Sequence, residues 1–150
     1  MGQTDEQHID QEKERKEILN AFKGLLRVTK DNRNKKETKL IRKAFDVAVE
    51  AHKDMRRKSG EPYIYHPISV AKICAEEMGL GPTAVICALL HDTVEDTYIT
   101  LDDIEDLFGA TVRKVIDGLT KIPEVFDENV SVQAENFRKM LLTLNDDIRV

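Results

Sequence analysis

Seven apolar residues in a row, Ala84–Leu90 (AVICALL), run directly into His91–Asp96 (HDTVED). A helix with no polar face must be wrapped by other elements, so this stretch predicts a helix buried on all sides. Yet it continues into His91, Asp92, Glu95 and Asp96. On a helix, positions 91 and 95 share a face, and so do 92 and 96. Burying that many polar groups is costly unless something pairs with them, and a divalent cation is the simplest partner. The chain therefore has to surround one apolar helix and bring compensating charge to its polar end.

The other well-signalled segments also read as helices. Residues 5–28 place Ile9, Ile18, Leu19, Phe22, Leu25 and Leu26 on one stripe, and residues 34–56 do the same with Leu40, Ile41, Ala44, Phe45, Ala48 and Ala51. Residues 56–67 hold the turn formers and read as a loop. Pro67 suits a first helical turn, and that helix runs to about Met78 before Gly79 and Gly81 break it. Pro82 opens the apolar helix. Thr100 with Asp103 has the spacing of a capping box, Gly109 ends the short helix it starts, and residues 110–120 form another. Residues 121–130 are polar and irregular, a candidate mobile loop. Ser131 is placed to cap a helix to about Leu144. With 7 Gly, 4 Pro and no Trp in 150 residues, an all-helical single domain fits better than a β-sandwich. Asp146 or Asp147 can cap one more helix, of which Ile148 and Val150 are the first apolar positions. The expectation is a fragment whose next helix is cut off.

The net charge of −5 argues against general nucleic-acid binding, which rewards a basic surface. It leaves room for an anionic small substrate in a locally basic cleft. The N-terminus has no apolar signal core and no segment reaches transmembrane length, so the expectation is a cytoplasmic protein with no membrane partner. Cys74 and Cys87 lie on apolar helical stretches and read as small core residues rather than a disulfide.

His66, His91 and Asp92, on neighbouring helices, can build a site for Mn²⁺, Fe²⁺ or Zn²⁺. Glu95 and Asp96 are the proton-transfer candidates beside it; the plain alternative is a pair of solvated charges at a helix end. Arg56, Arg57 and Lys58 stand next to Ser59-Gly60. Arginine grips phosphate or stacks on a base, lysine acts as a point charge, and serine and glycine-turn amides add donors. The plain alternative there is a solvated basic turn. His52 and Tyr63 are placed to line the same cleft and are assigned to packing.

Three segments together, RKSGEPYIYHPISVA (57–71), LLHDTVEDT (89–97) and FGATVRKVIDGLTKI (108–122), resemble the N-terminal hydrolase domain of the Rel/SpoT family. These are the bifunctional alarmone synthetase/hydrolases of the bacterial stringent response, and the match runs from about Leu40 to Val150. The resemblance implies an all-α HD-superfamily domain, truncated at its C-terminus. Residues 1–30 would be an N-terminal helix and 31–150 the core, with the synthetase and regulatory domains absent. It implies Mn²⁺-dependent hydrolysis of guanosine 3′,5′-bis(diphosphate) and its pentaphosphate relative to GDP or GTP plus pyrophosphate. In the roles it implies, His66, His91 and Asp92 hold the metal, and Glu95 and Asp96 are catalytic. Arg57, Lys58 and Ser59 bind the nucleotide. A fourth metal ligand, an aspartate, would follow Val150, so these 150 residues alone would be inactive or nearly so. Ribosome contact would belong only to the absent downstream domains. The alternatives are another HD-type metal-dependent nucleotide phosphohydrolase and a non-catalytic nucleotide-sensing domain.

Overall fold

The structure, a computed structural model, describes residues 2–77, 79–121, 129–136 and 138–139. They form α1 (Gly2–Val28), a 3-10 turn (Lys30–Asn32), α2 (Lys35–Ala51), α3 (Tyr65–Glu76), α4 (Pro82–Asp96), α5 (Leu101–Phe108) and α6 (Ala110–Thr120). A further helical stretch covers 130–136. The described residues contain no strand, only one isolated bridge between Arg56 and Pro62. The architecture is all-α, as the sequence predicts.

α4 is the central element. Pro82 occupies its first turn, where a missing N–H leaves no hydrogen bond unmade. Every residue from Ala84 to Thr93 is buried. α2, α3 and α6 pack around it. They contribute Ile41, Ala44, Phe45 and Ala48 from α2, Ile68, Val70, Ala71 and Cys74 from α3, and Val112, Val115, Ile116 and Leu119 from α6. α1 adds Phe22 and Leu25, with the Phe22 ring stacked on Phe45 at 4.0 Å between centroids. Leu19, expected on the α1 stripe, is instead 37% exposed, because it falls at the stripe's edge. Cys74 and Cys87 are free and buried, as expected of packing residues. Burial pushes the Cys74 thiol up to about 12, so it carries no nucleophile at neutral pH.

Local chemistry sets the boundaries. The Asn34 side chain accepts from the Glu37 amide at 2.8 Å and the Glu37 carboxylate accepts from the Asn34 amide at 2.9 Å, a capping box that starts α2. The expected box at Thr100 and Asp103 is present and starts α5. α2 stops at Ala51 rather than near 56, because His52 leaves helical geometry and turns its ring onto the Ala48 carbonyl. α3 begins at Tyr65, two residues before Pro67. Gly109 joins α5 to α6 with φ 97° and ψ 171°, a conformation that only glycine adopts without strain. Asn129, not Ser131, caps the stretch at 130–136: its side-chain oxygen accepts from the amides of Ser131 at 3.0 Å and Val132 at 3.1 Å. Most of the candidate mobile loop (122–128) and the end of the last expected helix, with Asp146 and Asp147, lie outside the described residues. No described helix is long and apolar enough to cross a membrane.

Candidate active site

The site is built where the polar end of α4 meets the start of α3 and the loop between α2 and α3. His91 and Asp92 are 0% and 1% exposed. The His91 Nδ1–H donates to the Ala88 carbonyl at 2.7 Å, since a carbonyl can only accept. That bond aims Nε2 at Asp92 Oδ1, 3.1 Å away. The other carboxylate oxygen, Oδ2, accepts from the Tyr63 hydroxyl at 2.9 Å. A neutral imidazole bonded this way presents a lone pair to a carboxylate, so the pair calls for a cation, either a proton or a metal. Neighbouring ligands of an ion bound at roughly 2.1 Å lie about 3 Å apart, which is the spacing of this pair.

His66, buried in the first turn of α3, stands beside this pair. Its Nδ1 accepts a hydrogen bond from Arg57 Nη1 at 2.5 Å, because a guanidinium has no acceptor. Burial holds the His66 imidazole below its ordinary pKa; Asp92 pulls the other way and the Arg57 charge adds to the lowering. Among the described residues no three His, Cys, Asp or Glu side chains are grouped so as to hold an ion as they stand. The expected convergence of His66, His91 and Asp92 on one point is therefore incomplete. Two of the three meet edge to edge, and the third is held by Arg57.

The basic loop is shaped by its own backbone. The Gly60 amide donates to the Arg57 carbonyl at 2.8 Å and the Arg57 amide to the Glu61 carbonyl at 2.9 Å, closing a tight turn with Gly60 at φ 93°. Arg56 points away from the site, gripping Glu14 of α1 with both terminal nitrogens at 2.8 and 2.9 Å. Lys58 and Ser59 are exposed at the tip, with the Ser59 hydroxyl on Glu61 at 3.3 Å. Of the three nucleotide-binding candidates, Arg57 alone bonds a buried histidine, His66; Lys58 and Ser59 are exposed.

Glu95 and Asp96 sit one turn beyond His91 and Asp92, exposed at the end of α4. Partial burial of its inner edge raises the Asp96 carboxyl above the usual aspartate value, and the Asp92 charge raises it further. Two residues assigned to packing from the sequence also belong here. Tyr63 bonds Asp92 directly, and His52 lies under the Tyr63 ring at 4.8 Å between centroids. The signal was available in part, since Tyr63 stands three residues before His66, but its contact with Asp92 spans 29 positions.

An all-helical domain that presents a buried His-Asp pair at the end of its central helix has the features of the HD superfamily. A profile of the HD domain family matches residues 44–150, and the chain belongs to that family. It is 46% identical over 115 residues to the bifunctional (p)ppGpp synthase/hydrolase SpoT of Escherichia coli K12, covering 76% of this chain and 16% of that protein. It is 46% identical over 110 residues to the guanosine-3′,5′-bis(diphosphate) 3′-pyrophosphohydrolase of Aquifex aeolicus, covering 73% and 15%. It is 44% identical over 134 residues to a GTP pyrophosphokinase of Streptomyces coelicolor, covering 87% and 16%. The chain thus spans about a sixth of the length of these relatives. Among solved structures it is similar to one described as a metazoan ortholog of SpoT that hydrolyzes ppGpp. The TM-score is 0.51 and the identity 32%, over 53% of this chain and 46% of the other.

Proposed function

We propose that this chain is the hydrolase part of a longer cytoplasmic protein that removes the 3′-pyrophosphate of guanosine 3′,5′-bis(diphosphate) and its pentaphosphate relative. Water is consumed, and GDP or GTP and pyrophosphate are released. The observation that carries this reading is the buried His91–Asp92 pair at ligand spacing, with a basic loop that bonds the neighbouring His66 through Arg57. The names of the similar proteins support the choice of substrate.

In this reading His66, His91 and Asp92 hold the metal, which we take to be Mn²⁺. The ion would acidify a bound water and polarise a phosphoryl oxygen. Asp96, with its raised proton affinity, and Glu95 handle the proton of the attacking water and of the leaving oxygen. Arg57, Lys58 and Ser59 would hold the nucleotide, and His66, bonded here to Arg57, would turn to the metal once that guanidinium is taken up by the guanine or its phosphates. With three candidate ligands, these 150 residues on their own bind the ion weakly and turn over little or nothing.

The test is to incubate the full-length protein with the alarmone and quantify GDP and pyrophosphate, with Mn²⁺, with EDTA, and after Mn²⁺ is restored. Release that needs the metal is expected; none under any of these conditions overturns the reading. Arg57→Ala is expected to raise the Michaelis constant more than it lowers turnover, because stacking on a base is alike in ground and transition states. The loss should be about 1–3 kcal/mol. Steady-state kinetics on the variant read it directly, and an unchanged Michaelis constant would make the loop a plain basic turn.

A further inference from the structure

His52 closes α2 and is 2% exposed. Its Nδ1–H donates to the Ala48 carbonyl at 3.0 Å, which fixes the ring and leaves Nε2 as the acceptor. Nε2 is buried and has no hydrogen-bond partner. A ring kept for packing alone would be better apolar, because an unsatisfied buried acceptor costs stability. What the ring does touch is Tyr63, at 4.8 Å and 32° between planes. Tyr63 in turn donates to Asp92 Oδ2, and its backbone is pinned by its amide's bond to the Met55 carbonyl at 3.0 Å.

We propose that His52 and Tyr63 are positioning residues for Asp92. Tyr63 holds the carboxylate through Oδ2, so that Oδ1 stays beside His91 Nε2. His52, locked to the end of α2, holds the Tyr63 ring at the angle this requires. The chain of contacts links α2, the loop and α4, so the ligand carboxylate is set by two elements besides its own. A partner that orients a metal-binding carboxylate typically changes metal affinity or activity by about 10- to 100-fold.

The inference rests on the metallohydrolase reading, and its test separates the two. Mn²⁺ alone is titrated by electron paramagnetic resonance into the full-length protein and into Tyr63→Phe, His52→Phe, His52→Gln and the Tyr63→Phe/His52→Phe double variant. Turnover of the alarmone and melting temperature are measured on each. Tyr63→Phe is expected to weaken Mn²⁺ binding and turnover by about 10- to 100-fold. His52→Phe should weaken both by a smaller factor while melting at or above the wild-type temperature. The double variant should be little worse than Tyr63→Phe, because His52 acts through Tyr63. Wild-type affinity and turnover in both folded His52 variants, or fully additive losses in the double variant, overturn the proposal. If the wild type binds Mn²⁺ but leaves the alarmone intact while these variants still bind Mn²⁺ more weakly, the substrate reading fails and the positioning role stands.

Discussion

Glu95→Gln or Asp96→Asn in the full-length protein is expected to lower turnover of the alarmone by about 100- to 10,000-fold, the usual cost of removing a general acid or base. Mn²⁺ affinity should change little. The reason is placement. Each carboxylate lies one helical turn beyond a member of the buried pair and is exposed, and neither takes part in the hydrogen bond or ion pair among His91, Asp92 and Tyr63. The two substitutions are nearly isosteric and remove only the ability to exchange a proton. Single-turnover kinetics beside a Mn²⁺ titration give the answer, and near-normal turnover in both variants would return the pair to ordinary solvated charges.

Leu90→Ala is expected to destabilise the domain by about 2–5 kcal/mol, the range for deleting a large aliphatic side chain from a tight core. Leu90 is fully buried on the central helix, which packs against α2, α3 and α6, so its truncation leaves a cavity in the core. Leu90→Met keeps the volume and should cost less than about 1.5 kcal/mol. Urea denaturation of both variants measures the difference. A loss under about 1 kcal/mol for Leu90→Ala would mean that the helix is less tightly enclosed than its burial indicates.

Much of this was legible in the sequence, and particular residues show where legibility ends. The apolar run of α4 left no solvated face, so its central burial followed from pattern alone. Thr100 and Asp103 capped α5 because the box needs only local spacing. α2 was read five residues too long because Ala48, Ala51 and Met55 keep helical spacing past Ala51 and no glycine or proline intervenes. What ended the helix was His52 turning onto Ala48, and a ring's choice of partner is not written in periodicity. The pairing of Tyr63 with Asp92 and of Arg57 with His66 depends on how a loop closes over a helix end. Spacing placed these residues near one another but could not assign their bonds, and so Tyr63 and His52 passed for packing.

The burial of ten successive positions, Ala84 to Thr93, has a consequence for how such a domain can change over time. A cavity-forming substitution at Leu89 or Leu90 disturbs packing beside the His-Asp pair, since core and pair share one helix. The tip of the basic loop is under no such double obligation: Lys58 and Ser59 are exposed, whereas Arg57 bonds His66 and Gly60 holds a positive φ of 93°. Under the proposed function, changes at Lys58 and Ser59 would retune what is gripped while the buried pair stays as it is. A designer working from that proposal would vary Lys58 and Ser59 and leave Gly60 and the helix alone.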